Sequence, residues 1–443
     1  MFIEEGGIKL KKKWTFRWVS ILLIFVVIAS GCGNTEEDSG NEESASQESN
    51  EPVVLRAIME QVPDSDIVQS MLEDFNQEYP DITVDIEMLP YDQMREKILS
   101  SFLAPDPVYD LIVVDNPWMY DFASEGFLEP LDGMIQEAGD AYNYEDFAAP
   151  LRQIAEVDGQ TYAIPFYNYA LGLIYREDLF EEHALNPPES IDELQNHIEE
   201  LTTDEIAGTA MQPQRGYKIF EEWANWLFAE GGAIQDESGN IVLDSPEARN
   251  ALTKYIETYN ASAPEDSINW GFDEAMRAVS SGQAATMLSY NWMLPTLNNP
   301  DGAAGDLAGR FALTEVPGGK SVLGAWYWGI PANTEQKDAA WTFIEWITSP
   351  EQDLERVLNG GAPIRMSVME EAGSHEDGFG EDYYNTVKSI LENASPLADG
   401  PNAEEMIQAV GTELSEAVAG KKSVDQAITD ASNKAREIMN EEK

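Results

Sequence analysis

Between residues 53 and 114 strand and helix patterns alternate at short intervals, and this limits the fold more than any other feature of the chain. An apolar run at 53–58 reads as a strand, and Ile67, Met71, Leu72 and Phe75 share one helical face that Pro80 closes. Ile82, Val84, Ile86 and Met88 alternate as a half-buried strand, Met94, Ile98, Leu99 and Phe102 return to helical spacing, and 111–114 is a buried strand. This β-α-β-α-β order implies a parallel sheet covered by helices. Further along, helices dominate 192–256, with Trp223, Trp226 and Leu227 on one face, before strand-like 285–288 and 326–330. Asn333-Thr334 is expected to cap a helix carrying Ala339, Ala340, Phe343, Ile344 and Ile347, and two helices run from about 403 to the end. Residues 52–443 are too many for one core and suit two.

The N-terminus reads differently. Lys9, Lys11, Lys12, Lys13 and Arg17 precede an apolar run at 19–29, followed by Ser30, Gly31 and the only cysteine, Cys32. The run is too short to cross a bilayer, which takes about 20 residues in a helix, and has the layout of a secretory signal. Ala29-Ser30-Gly31-Cys32 resembles the lipobox of bacterial lipoproteins. That likeness implies cleavage after residue 31 and two acyl chains on Cys32, enough for stable membrane attachment. Residues 33–51 hold no basic and almost no apolar side chains, so 32–51 is expected to be a disordered tether reaching at most about 65 Å. Removing 1–31 takes five basic and two acidic side chains from the 26 and 82 of the chain, leaving a formal charge of −59. Such a body repels nucleic acid and polyanions, and its self-repulsion fits a saline or alkaline setting.

Several segments of the body resemble one family, the extracellular solute-binding proteins of ABC importers, in the carbohydrate branch that includes maltodextrin-binding protein. They are residues 110–118 (Asp-Leu-Ile-Val-Val-Asp-Asn-Pro-Trp), 126–132 (Gly-Phe-Leu-Glu-Pro-Leu-Asp), 159–165 (Gly-Gln-Thr-Tyr-Ala-Ile-Pro) and 173–180. Gly282-Gln283-Ala284-Ala285-Thr286-Met287, Gly324-Ala325-Trp326 and Gly361-Ala362-Pro363-Ile364-Arg365 complete the set. The resemblance implies two α/β lobes with a hinge, the chain crossing near 168–170, 285–287 and 331–333. The N-terminal lobe is then 52–168 plus 287–332, and the C-terminal lobe 169–286 plus 333–443. It also implies an ABC permease as partner, a ligand held between the lobes, a monomeric body, and no cofactor.

A neutral sugar or polyol needs flat aromatic surfaces and side chains that hydrogen-bond in fixed planes. Asp115, Asn116 and Trp118, just past the 111–114 strand, supply both. By the resemblance, Tyr91, Asp92, Tyr167, Asn168, Tyr290, Trp292, Trp326 and Arg365 join them; Glu60 and Gln61 follow by position after the first strand, and Trp223 on its helix. Trp118 and Trp223 have alternative readings as core residues, and Arg365 as a salt-bridge partner. Trp328, Trp341 and Trp346 are assigned to the core.

Enzymatic patterns are weak. His183, His197 and His375 show no metal-ligand spacing, and there is neither a Gly-x-Ser-x-Gly elbow nor a phosphate loop. Asp236-Glu237-Ser238-Gly239-Asn240 reads as a hairpin turn rather than a calcium loop. The expectation is a lipid-anchored receptor on the outer face of a Gram-positive-type membrane. It would bind a sugar, oligosaccharide or polyol and deliver it to the permease, without catalysis. Two alternatives stay open: a receptor for a polyamine or other cation, which would suit the acidity, and a secreted carbohydrate-active enzyme.

Overall fold

In the computed structural model, which describes residues 52–439 apart from Glu237 and the Asp92 side chain, the alternation at the start of the body takes shape as five elements. They are β1 (Val53–Glu60), α1 (Pro63–Glu78), β2 (Ile82–Leu89), α2 (Tyr91–Phe102) and β3 (Leu111–Asp115). β1 pairs in parallel with both β2 and β3. The expected leader, Cys32 and the tether lie outside the described residues.

β3 is buried throughout and ends at Asp115, whose carboxylate accepts the Asn116 N–H at 2.9 Å and starts α3 (Asn116–Ser124), with Pro117 in the first turn. After α4 (Asp132–Tyr142) comes β4 (Ala163–Arg176), whose fourteen residues are all buried. A strand apolar on both faces belongs in the middle of a sheet. The chain continues through α5 (Ile191–Leu201), β5 (Ala207–Thr209), α6 (Tyr217–Ala229), α7 (Pro246–Ser262), α8 (Phe272–Ser280), β6 (Ala284–Tyr290), β7 (Phe311–Thr314) and β8 (Ser321–Gly329). Ser190 and Ser245 cap α5 and α7 by accepting the N–H of Glu193 and Ala248. The last long helices are α9 (Lys337–Ile347), α10 (Pro350–Leu358), α11 (Glu381–Asn393), α12 (Ala403–Val418) and α13 (Val424–Met439).

The main sheet runs β2-β1-β3-β8-β4-β6-β5, with β7 also on β4. β4 is the strand common to both halves. Residues 163–170 pair with β8, while 171–176 pair with β6 and β7. The chain therefore stays beside the far half of β4 until after β7 and returns on β8, later than the 285–287 crossing that the resemblance implies. The reason is register: Thr286 to Tyr290 continue the ladder opposite Tyr175 to Leu171. α9 likewise packs on α1 and β1, beside the first half of the sheet, whereas α12 lies along α6 and α7.

Thr334 is not a helix cap. Its hydroxyl donates to Asp110 Oδ1 at 2.6 Å and accepts the Gln336 N–H at 3.1 Å, so α9 starts three residues later. Trp328, Trp341 and Trp346 are buried, Trp328 against Phe166 and Phe343. α12 crosses the start of α6 at backbone contact: a Cβ on Gly411 would fall 1.8 Å from Gly216 O. Only glycine permits that approach, and it seats the first turn of α12 close to α2 and β3.

Candidate binding site

The sheet register assembles the site. Trp326 on β8 lies opposite Asp115 on one side and Tyr167 on the other, so three strands present Asp115, Trp326 and Tyr167 in one rank. Tyr169, two residues beyond Tyr167, shares its face of β4, and Tyr290 ends β6 opposite Leu171. From this rank a band of nine rings extends without a break. Trp118 is 5.7 Å from Trp326 and 5.3 Å from Tyr91, centroid to centroid. Tyr167 stands 5.7 Å from Trp326 and 4.9 Å from Tyr169. Tyr169 reaches Tyr290 at 5.1 Å, and Tyr290 stacks on Trp292 at 6.0 Å and 14°. Phe272 closes one end, 5.5 Å from Trp292, and Tyr217 lies 5.8 Å from Tyr91. Each spacing falls in the attractive range for aromatic pairs.

Polar groups are set into this band. Tyr91 donates its hydroxyl to Asp115 Oδ2 at 2.8 Å and lies 3.2 Å from Glu404 Oε2, on the first turn of α12. Burial, with the Glu404 charge second, holds the Asp115 carboxyl well above the usual carboxylate range, and burial raises Glu404 as well. Burial keeps the Tyr91, Tyr167, Tyr169, Tyr217 and Tyr290 phenols protonated well above their ordinary range. Glu60, at the end of β1, is among the charges that add to this for Asp115, Tyr167, Tyr169 and Tyr290. At the other end, Tyr290 donates to Glu221 Oε2 at 2.9 Å and accepts from Lys218 Nζ at 2.5 Å, while Lys218 and Glu221 pair at 3.1 Å.

Among the buried groups that find no hydrogen-bond partner within the protein are Trp118 Nε1, Trp292 Nε1, Asn168 Oδ1 and both polar atoms of the Asn291 side chain. Asn168 Nδ2 donates to Pro363 O. Such groups are nearly always satisfied; others, Trp226 Nε1 and Ser432 Oγ among them, lie away from the ring band.

Of the residues singled out from the sequence, the structure gathers Tyr91, Asp115, Asn116, Trp118, Tyr167, Asn168, Tyr290, Trp292 and Trp326, with Glu60 acting through its charge. Asp92 follows Tyr91 in the first turn of α2, its side chain outside the described part, and Gln61 is exposed beyond β1. Two of the expected residues stand outside the chain of ring contacts. Arg365 is wholly buried away from the band, over the Phe147 ring at 4.0 Å, donating to Thr348 O at 2.7 Å and Asn143 O at 3.1 Å. Its salt-bridge reading is the one realised, with Asp146 at 3.5 Å. Trp223 is wholly buried in α6, stacked on Phe220 at 6.1 Å. Tyr169, Tyr217, Phe272, Glu221, Lys218, Asn291 and Glu404 escaped the sequence reading. Of these only Tyr169 carried a local signal, the two-residue spacing from Tyr167.

Residues 61–353 match the family described as bacterial extracellular solute-binding protein. The chain belongs to that family. A mannitol-binding protein of Pseudomonas aeruginosa is 27% identical to this solute-binding protein over 405 residues, covering 84% of this chain and 90% of the relative. A maltotriose-binding protein of Pyrococcus abyssi is 26% identical over 336 residues, covering 71% and 68%. Among solved structures, a ribitol-bound ABC transporter solute-binding protein of Agrobacterium radiobacter K84 superposes with a TM-score of 0.79 at 24% identity, covering 87% of this chain and 99% of the other. A maltose-bound protein of T. maritima superposes at 0.75 with 25% identity, covering 86% and 99%. The solute-binding protein accordingly has the two-lobed, mixed α/β architecture of this group.

Proposed function

We propose that this solute-binding protein is the receptor subunit of an ABC importer, and that it takes a neutral sugar, oligosaccharide or polyol between its lobes and delivers it to the permease. The ring band carries the reading. Aromatic faces suit the C–H faces of a carbohydrate, and the unpartnered amides and indole N–H groups suit its hydroxyls, because a buried polar group left unpaired costs about 1–3 kcal/mol. Relatives named for mannitol and maltotriose, and the ribitol- and maltose-bound neighbours, support the same ligand class. Family membership favours binding over catalysis.

The lobes meet along β4 and β8, with β1 to β3 on one side and β5 to β7 on the other. Ligand touches both only when they close, so binding favours the closed form by population shift. Tyr91, Asp115, Asn116, Trp118, Tyr167, Asn168, Tyr169, Tyr290, Asn291, Trp292 and Trp326 are the proposed contacts. The lipobox-like 29–32 segment supports attachment through Cys32 to the outer face of the membrane, with a monomeric body on the acidic tether. A polyamine is the second reading, favoured by the carboxyls of Glu60, Asp115, Glu221 and Glu404 beside aromatic walls.

A thermal-shift panel of D-mannitol, ribitol, maltose, lactose and spermidine, followed by calorimetry, tests these readings. Stabilisation by a polyol or saccharide recovered unchanged supports the proposal. Preference for spermidine moves it to the cationic reading, and turnover of the saccharide defeats the receptor reading.

A further inference from the structure

Tyr91 presents one proton to two carboxyl groups. Asp115 Oδ2 lies 2.8 Å and Glu404 Oε2 3.2 Å from its hydroxyl oxygen. A phenol donates one hydrogen bond, so if it serves Asp115, the approach of Glu404 brings an ionised oxygen against a lone pair unless the Glu404 carboxyl carries its own proton and donates to Tyr91. Serving Glu404 instead leaves Asp115 in the same position. In either arrangement the three-group bridge is complete with one proton added to the two carboxylates. Asp115 and Tyr91 belong to β3 and α2, whereas Glu404 sits on α12, which packs mainly along α6 on the other side of the sheet and reaches α3 through its N-cap, where the Asn402 N–H donates to Asp121 Oδ1 at 3.1 Å. The bridge therefore spans the two sides of the proposed cleft.

We infer that closure of the cleft is coupled to the uptake of one proton by the Asp115–Tyr91–Glu404 bridge, so that the receptor grips its ligand more tightly as pH falls and releases it as pH rises. This rests on the binding reading above and adds a regulation of the same site. The surroundings of the bridge agree with it. Gln408 Nε2 donates to the other Glu404 oxygen at 3.0 Å, fixing Oε2 toward Tyr91. Arg95 on α2, a cation beside Glu404, pairs with Glu405 at 3.1 Å. Glu60 on β1 and Glu404 bear negatively on Asp115, Asp115 and Glu221 bear negatively on Tyr217 of α6, and Asn116 N–H binds Asp115 Oδ1. Burial pushes both carboxyls up and keeps the Tyr91 phenol protonated, so the exchangeable proton belongs to the acid pair.

The sign follows from linkage. Opened to water, both acids titrate in the ordinary carboxylate range; closed, the pair titrates higher. The closed form is fully favoured below the ordinary range and loses that advantage as pH rises through the raised one. Within that window one linked proton changes affinity about tenfold per pH unit.

The test is calorimetric titration of the intact soluble body with D-mannitol across mildly acidic to alkaline pH, in buffers of differing ionisation enthalpy. The expected result is one proton taken up per D-mannitol bound and an affinity falling about tenfold per pH unit in the window. Glu404→Gln, whose amide donates to Tyr91 at every pH, should flatten the profile and abolish the uptake. Binding without proton uptake, or a Glu404→Gln variant that keeps the slope, would overturn the inference. If no polyol or saccharide binds, the sugar reading fails while this one is still decided by scattering from the ligand-free body. Expansion on alkaline titration that Glu404→Gln lacks supports the bridge, and identical dimensions across the range refute it.

Discussion

Replacing Asn291 by leucine should move folding and binding in opposite directions. The Asn291 side chain is wholly buried, and neither its oxygen nor its nitrogen has a partner in the protein. Its backbone is held independently, the N–H donating to Ala170 O at 3.1 Å and the carbonyl accepting from Tyr383 at 3.3 Å. Leucine keeps the branch at Cγ, with methyls larger than the amide oxygen and nitrogen, and two unsatisfied polar atoms disappear. Removing a buried unsatisfied group recovers about 1–3 kcal/mol, and the ligand-free variant should unfold at higher temperature, by about 2–4 °C per kcal/mol in a cooperative unit the size of one lobe. On the proposed reading those two atoms bind ligand hydroxyls in the wild type, each bond worth about 0.5–1.5 kcal/mol. Losing both should weaken binding roughly 5- to 150-fold. Differential scanning calorimetry without ligand and isothermal titration with the tightest polyol or saccharide give the two numbers. A variant that is less stable yet binds equally well would show that the amide serves the ligand-free fold, and the reasoning from unpartnered groups to ligand contacts would be wrong.

Arg365→Met should cost about 2–5 kcal/mol of stability by removing the donor from the Thr348 and Asn143 carbonyls, at about 1–3 kcal/mol for each buried group left unpaired, and any variant that folds should bind with unchanged affinity in a titration. Trp292→Ala should weaken binding at least tenfold, whereas Trp223→Phe should leave it unchanged; equal effects would mean that the ring band is not the site. Glu222, buried on α6, accepts from Tyr255 Oη at 2.5 Å and from Gln212 N at 2.7 Å, and burial pushes its carboxyl up to about 8. Its stabilisation is therefore present below an ordinary value of 4.5 and lost as pH rises to about 8. Relative to Glu222→Gln, the wild type should lose up to about 1.4 kcal/mol per pH unit across that window in denaturant titrations. Cys32→Ser should shift the protein from the membrane fraction of expressing cells to the medium, as measured by detergent partition.

The parallel units were legible because apolar spacing of two and of three to four residues is local: β1, β2 and β3, and the helices between them, fall where the spacing places them. Asp115, Asn116 and Trp118 were legible for the same reason, standing at the end of a buried strand beside a helix start. Tyr217 and Phe272 were not, because each opens a helix whose arrival at the ring band depends on how α6 and α8 pack. Glu404 was hidden by the general acidity, one carboxyl among 82, until α12 brought it to a tyrosine 313 positions away. Arg365 misled for the opposite reason. Its segment resembles a binding motif, but the ring faces of Phe147 and Tyr142, more than two hundred positions upstream, take its guanidinium into the core. The pairing of β6 with β4 beyond residue 287 was not legible, because nothing local marks where a strand stops pairing with one neighbour and a later strand takes over the return.

The central claim is that two halves of the sheet, joined along β4 and β8, shut a continuous band of rings on an uncharged hydroxyl-rich solute. Small-angle scattering of the soluble body, with and without saturating amounts of its tightest-bound polyol or saccharide, reads this directly. The radius of gyration should fall on binding, and tryptophan emission recorded on the same samples should change with it. Tight binding with unchanged dimensions and unchanged emission would contradict the account.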